Sequence, residues 1–432
     1  MTHLFFRSAG PLLGLLMMVF SSLAQSQGAA GSFVVTLTNP LDLERADEPI
    51  LWGRAELEKK LGAIPAGKFI QVSGENERPV AVQFDDRDGD GQWDEVFFVR
   101  SFGAKERIRL QIAVAEGPAA VKVVVRAHVR MRAKNGDGSF GSLLDSAVMP
   151  VRNPPTDFSV NRLPPWLTEG PAWENDKVAY RLYFDTRNDK DIYGKTTTAM
   201  VMDEVGVNPD KSYHELADWG MDILKVGGSL GAGALAISVP VPGRKDTLMR
   251  LGGLHVRREA FRKVADGPFR AIFRMDYEWE INDHPVTVSE ETAIAAGQYY
   301  YESKVTVSGA PAGSRLVTGI ANFYTNAPGN FRKDAAAVLY SYGRQSENKD
   351  LLGMGILVRK RDFSTFSSRP ASGSDVTSTY TVSQRIPKDR PVYFRFYTGW
   401  ERTDPGFASA EYFTDMLKGE AAKFSHPIQV KW

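Results

Sequence analysis

Apolar and polar residues alternate with a period of two along much of this chain. The pattern is cleanest in residues 121–133 (VKVVVRAHVRMRA) and 269–281 (FRAIFRMDYEWEI). Such alternation predicts strands with one buried and one wetted face, the signature of antiparallel sheets. Short runs rich in Val, Ile, Phe and Tyr, bounded by Gly, Pro, Asn and Asp, repeat the signal in SFVVTLTNP, EVFFVRSF, RIRLQIAVA, KVAYRLYFD and VYFRFYTGW. Helical patterns are few: residues 54–61 (RAELEKKL), and an amphipathic stretch over 406–424 opened by Asp404-Pro405. The expected fold class is mainly β. A small N-terminal β domain over 32–115 precedes a large antiparallel β-sandwich over 121–432, with Gly117-Pro118-Ala119-Ala120 as the break.

Residues 1–24 read as an export signal. Arg7 supplies the positive charge, residues 11–20 (PLLGLLMMVF) the apolar core, and Ser22-Leu23-Ala24 the small residues for cleavage. That core is too short to span a bilayer, so a periplasmic or secreted protein without a membrane span after cleavage is expected. The chain has no Cys, which excludes disulfides, thiol catalysis and Cys-ligated metals; a chain this long buries enough apolar surface without disulfides. With 53 basic and 52 acidic residues, the net charge of +1 gives no sign of a nucleic-acid partner.

The densest chemistry lies between residues 166 and 233. It combines Trp166, Trp173 and Trp219 with several carboxylates and one His. Tyr213-His214 offers an imidazole that titrates near neutrality beside a phenol able to give up a proton, a base and an acid in neighbouring positions. Arg181 and Glu174 complete the candidate catalytic set. Trp173 and Trp219 would stack on pyranose rings, while Asn175, Lys177 and Lys225 would neutralise an acidic sugar. His255, in the basic stretch HVRREAFRK, joins this binding set. The plainer alternative makes the Trp residues core packing and His214 a loop residue bonded to backbone. Glu278 and Glu280 lie one pleat apart, roughly 7 Å, within the range of glycosidase carboxylate pairs, but a solvated strand face explains them more simply. The Gly-rich run 227–233 lacks the Lys-Ser/Thr of a phosphate-binding loop, so no nucleotide is expected.

A third segment, DDRDGDGQWDE, sets Asp86, Asp88 and Asp90 at alternate positions, followed by Gly91, Gln92 and Asp94. Four carboxylates with the Gln92 carbonyl would suit one structural Ca²⁺. The twelfth position, where an EF-hand carries its bidentate Glu, is Phe97, and the flanks are strands rather than helices. A hairpin turn using Asp and Gly for their conformational tolerance is the competing reading.

Three long strings, DRDGDGQWDE, EGPAWENDKVAYRLYFD with KDIYGK, and YHELADWGMDILKVGGSLGAG, make the chain similar to the bacterial domain-of-unknown-function family 4861 over nearly its whole mature length. The resemblance implies exported proteins of polysaccharide-degrading bacteria, often associated with uronate-containing glycans. It also implies a large domain like the galactose-mutarotase supersandwich found in polysaccharide lyases and several hydrolases. It supplies no catalytic residues. The expected function is thus an exported carbohydrate-active protein that lyses or hydrolyses a uronate-containing polysaccharide or oligosaccharide. A non-catalytic glycan-binding accessory protein is the alternative.

Overall fold

In the computed structural model, residues 31–432 are described apart from 75, 76, 151, 152, 326 and the Leu254 side chain. The expected export signal over 1–24 lies outside the described residues. The long alternating runs become the spine of a nine-stranded antiparallel sheet. Its order is Gly329–Lys333, Ala336–Gly343, Leu352–Arg359, Val392–Trp400, Tyr300–Ser308, His284–Ala295, Arg270–Ile281, Val256–Asp266 and Ser146–Met149. Asn282 and Asp283, both at positive φ, turn the chain between Ile281 and its partner His284. A two-residue turn of this kind matches the twist of the strands it joins.

Two five-stranded sheets pack against this one. The first runs Thr247–Arg250, Ala232–Val239, Arg315–Ala321, Thr379–Arg385, Phe363–Arg369; the second runs Gly220–Asp222, Lys190–Lys195, Val178–Leu182, Ala172–Asn175, Ala127–Arg130. One core joins all three sheets through residues such as Trp173, Tyr180, Ile237, Phe273, Tyr301 and Phe396. The expected β-rich sandwich is therefore what the chain forms. Strands Val178–Leu182 and Lys190–Lys195 are buried along their whole length, so both of their faces are covered.

Residues 32–115 form two smaller sheets around a separate core of Val35, Trp52, Phe98 and Ile112. One of them recruits the distant strand Gln429–Lys431, which pairs with Ser32–Thr38. The run 121–133 is a strand only over Ala127–Arg130, because its partner Ala172–Asn175 offers four residues to pair with. Val124 and Val125 stay exposed outside the ladder. The helix expected over 406–424 runs Ala410–Ser425. A 3₁₀ turn over Pro405–Ala408, capped by Asp404, comes first, and the Ser409 hydroxyl then accepts from the Tyr412 amide. Phe413 and Leu417 seat this helix on Val338, Leu357 and Tyr397 of the large sheet. Among the described residues no helix is long and apolar enough to cross a membrane.

Candidate functional site

Pleat alternation divides the block around residue 180 into two faces. In the register of the second five-stranded sheet, Trp173 pairs with Tyr180 and Tyr180 with Ile192, and these side chains enter the central core. The intervening residues face the other way. Arg181 pairs with Asp191, Glu174 with Ala179, and Tyr193 with Asp222. The connection over residues 196–219 covers that second face through Met202, Val205, Tyr213 and Trp219.

Arg181 is the hub. Its Nε donates to Asp191 Oδ2 at 3.1 Å, and its Nη2 donates to Asp191 Oδ2 at 2.7 Å, Asp222 Oδ2 at 2.9 Å and the Tyr183 hydroxyl at 2.6 Å. Its Nη1 donates to Glu169 Oε2 at 3.1 Å and the Tyr213 hydroxyl at 3.2 Å. The guanidinium carbon lies 4.3 Å from the ring centre of Tyr183 and 5.4 Å from those of Tyr193 and Tyr213. The guanidinium thus makes six contacts to five partner side chains, which uses all of its N–H groups. The segment that delivers Glu169 is strained: Thr168 and Glu169 both adopt left-handed φ values, 47° and 65°. Such conformations persist where surroundings over-determine them. Here the Glu169 carboxylate ties Arg181 to Arg187, with Arg187 Nη2 at 2.6 Å from Oε1.

One cation faces three carboxylates in a nearly dry setting. Burial pushes the Asp222 carboxyl well above the usual carboxylate range and the neighbouring Asp191 pushes it further, against the pull of Arg181. Burial also raises the Tyr213 phenol, which stays protonated at neutral pH although Arg181 opposes the shift. Tyr193, fully buried in the same cluster, has a hydroxyl without a hydrogen-bond partner. His214 sits at the mouth with 60% of its side chain exposed and Nδ1 3.6 Å from Asp222 Oδ2. Partial burial lowers its pKa and the Arg181 charge lowers it further, favouring the neutral imidazole. Beside Tyr213 and His214 opens a concavity of about 250 Å³, lined also by Phe158, Leu163, Thr168, Asn208 and Lys211.

Of the residues singled out in the sequence, Tyr213, His214 and Arg181 come together, with Trp219 close by, its ring centre 6.1 Å from that of Tyr193. Several others do not join them. Trp173 is 1% exposed and packed against Tyr180, Phe273 and Tyr301, so it has no free face for a sugar. Glu174 is fully buried; it accepts from Lys195 Nζ at 2.6 Å and from the amides of Val201 and Met202, which makes it a structural anchor rather than a catalytic group. Asn175 is equally buried and holds the carbonyls of Ala295 and Gln298. Lys177 lies over the Tyr299 ring at 5.4 Å, and His255 sits on the exposed turn Gly253–His255. Neither is part of the cluster. Lys225 is exposed and lies 5.1 Å from the Phe323 ring centre. Arg181 itself is saturated with protein partners and cannot clamp a substrate carboxylate. The residues that sequence reasoning passed over are Glu169, Tyr183, Asp191, Tyr193 and Asp222. Asp191 and Tyr193 stand in the KDIYGK string at alternate positions, a spacing that already placed them on one strand face.

Elsewhere, Glu278 and Glu280 lie near Arg258 and Arg257 on a partly solvated strand face. Gly231, with φ of 51°, brings its Cα so near the Lys190 carbonyl that a Cβ would sit 2.0 Å from that oxygen, a close backbone approach and not a phosphate cradle. In the acidic turn, carboxylate oxygens of Asp86, Asp88 and Asp94 lie within 4.8 Å of one another. Asp90 stands outside that group and accepts from the Gln92 amide. Asp86 accepts from the amides of Gly89 and Gly91, and Asp94 from that of Arg87. Backbone donors thus already engage carboxylates that a cation would use.

The family model described as domain of unknown function (DUF4861) matches residues 37–430. A relative from Formosa agariphila, described as uncharacterized protein P7, is 22% identical over 297 residues, which is 64% of this chain and 64% of that protein. Two solved structures from Enterococcus faecalis are similar to this chain at 8% identity. A protein in glycosyl hydrolase family 38 superposes with a TM-score of 0.51, covering 93% of this chain and 47% of its own. An alpha-mannosidase gives 0.49, with 93% and 46% coverage. The chain therefore spans about half the length of these solved structures.

Proposed function

Because this chain belongs to the DUF4861 family, and because its most reactive groups meet at the mouth of a cleft, we propose that it is an exported enzyme that cleaves a uronate-containing polysaccharide or oligosaccharide by β-elimination. The single observation that carries this reading is the adjacency of His214 and Tyr213 beside an open concavity, backed by the Asp191–Asp222–Arg181 cluster. Neutral His214, with Nδ1 turned to Asp222, uses Nε2 to take the proton α to the uronate carboxyl. The electron pair left on that carbon forms the ring double bond as the glycosidic C–O bond breaks. Tyr213, whose oxygen accepts from Arg181, gives its proton to the departing oxygen. The charges of Asp191 and Glu169 favour the imidazolium that forms. Arg181 is a positioning residue, since it acts only through Tyr213, Asp191 and Asp222.

The shared fold with a protein of glycosyl hydrolase family 38 is compatible with carbohydrate work in general, although a fold does not assign a reaction. Hydrolysis is the second reading. It is favoured by Asp191 and Asp222 converging on one guanidinium nitrogen and by the upward shift of the Asp222 carboxyl, the direction a glycosidase's general acid needs; their near-complete burial counts against it. Incubation with pectic, alginate and sulfated algal oligomers decides. Elimination makes an unsaturated sugar that absorbs in the short ultraviolet, whereas hydrolysis makes only reducing ends. Loss of the absorbing product in His214→Ala and Tyr213→Phe supports elimination; reducing ends without it favour hydrolysis, and inertness on the whole panel ends both.

A further inference from the structure

One exposed aromatic outside this cleft is flanked by two exposed lysines. Tyr324, 37% exposed, follows the strand Arg315–Ala321. Lys349 Nζ lies 3.5 Å from its ring centre and Lys225 Nζ 5.6 Å from it. Both lysines are exposed, and among the described residues neither takes part in a salt bridge. The backbone beneath Lys349 is fixed. Lys349 adopts a left-handed φ of 67°, which a non-glycine residue holds only at a cost. Its amide donates to the Ser346 carbonyl at 3.0 Å and its own carbonyl accepts from Arg344 Nη1 at 3.2 Å. The Tyr324 hydroxyl donates to Glu347 Oε1 at 3.3 Å.

This patch adjoins the reactive cluster. The Glu347 amide donates to the Ile223 carbonyl at 2.9 Å, immediately after Asp222, and Lys225 follows Asp222 by three positions. The Glu347 charge is felt at both His214 and Asp222. Two ammonium groups lie near one ring with the single carboxylate of Glu347, so the patch keeps a net positive charge that a further anion would neutralise. A partly exposed phenol offers a stacking surface to the C–H face of a sugar.

Resting on the reading of this chain as a glycan-cleaving enzyme, we propose that Tyr324, Lys225 and Lys349 form a subsite for an anionic pyranose unit, neighbouring the unit on which His214 acts. The recognised group is a carboxylate or a sulfate ester: the ammonium groups neutralise it while the ring stacks.

Isothermal titration of the full chain with an oligogalacturonate, a sulfated galactan oligomer and a neutral galactan oligomer of equal length tests this. The expected result is at least tenfold tighter binding of one anionic oligomer than of the neutral one, and the preferred oligomer tells carboxylate from sulfate. Lys225→Ala/Lys349→Ala removes that preference with an unchanged melting temperature, and Tyr324→Ala weakens all binding. Equal binding of neutral and anionic oligomers, an unchanged preference in the double variant, or no binding of any oligomer overturns the subsite. Its failure is separable from that of the catalytic reading. A lysine-dependent preference without turnover keeps the subsite and defeats the enzyme, while turnover with an unchanged preference in the double variant does the reverse.

Discussion

Asp191 and Asp222 place their Oδ2 atoms 2.7 and 2.9 Å from the same nitrogen, Nη2 of Arg181. Two buried carboxylates at one donor repel each other, and burial, then the Asp191 charge, pushes the Asp222 carboxyl upward against the pull of Arg181. Arg181, which opposes that shift, also holds Glu169 and Tyr213. A mutation there should therefore affect stability and chemistry together.

Arg181→Met should lower stability by about 3–5 kcal/mol, the usual consequence of leaving buried charges without their partner. Urea denaturation monitored by fluorescence measures it. Arg181→Lys should recover only part of the loss, because an ammonium cannot reproduce the planar fork that reaches three carboxylates. A destabilisation below about 1 kcal/mol would show that the cluster is not strongly coupled.

If His214 is the base, kcat/KM should rise with pH through a pKa below the ordinary histidine value of 6.5, because burial and then Arg181 disfavour the imidazolium. His214→Gln should remove this limb and most of kcat while oligomer binding changes little. Tyr213→Phe should lower kcat without moving the limb. A wild-type limb lying above 6.5, or one retained in His214→Gln, assigns the base elsewhere.

His128 provides a pH signature of stability remote from catalysis. Its two ring nitrogens lie 3.0 Å from Asp266 and 3.1 Å from Asp203, and these partners hold its pKa near 9 although burial opposes them. The folded state thus binds this proton more tightly than the unfolded state. The associated stability is fully present below about pH 6.5 and declines as pH rises toward 9, by up to about 3 kcal/mol. His128→Asn should flatten that decline in denaturation midpoints measured from pH 6 to 10. An equally steep decline in the variant would place its origin elsewhere.

For the acidic turn we propose a structural calcium held by Asp86, Asp88 and Asp94. Millimolar Ca²⁺ should raise the melting temperature over that in excess chelator, and Asp88→Ala should abolish the rise. Asp86→Ala should lower the melting temperature even in chelator, since it deprives the Gly89 and Gly91 amides of their acceptor. A midpoint indifferent to calcium leaves the turn standing on those backbone bonds alone.

The strands were legible because burial on one face writes itself into period two, as in residues 269–281. The alternation of 121–133 overstates the strand because a strand also needs a partner, and only four consecutive residues, Ala127–Arg130, have one. At the candidate site, residue type was legible and residue direction was not. Trp173 and Arg181 looked equally able to meet a sugar. In the sheet Trp173 points into the central core, while Arg181 points to the opposite face, where carboxylates consume it. Asp191 and Asp222 escaped notice because they become a pair only through register between strands whose sequence positions are far apart. Glu174 and Asn175 are polar residues spent on holding loops, a use that composition does not distinguish from catalysis.

The pairing of Gln429–Lys431 with Ser32–Thr38 has a consequence for the order of folding. Arg45, in the small domain, donates to the carbonyl of His426, 381 positions away, and Trp432 lies against Phe33 and Trp52. The sheet that contains Ser32–Thr38 thus waits, with an open edge, for a strand made only after the strands of the sandwich. Contacts of such long range slow folding and lengthen the time an unpaired edge can meet another molecule. On this view the small sheet is completed last, once Gln429–Lys431 has been made and reaches its open edge.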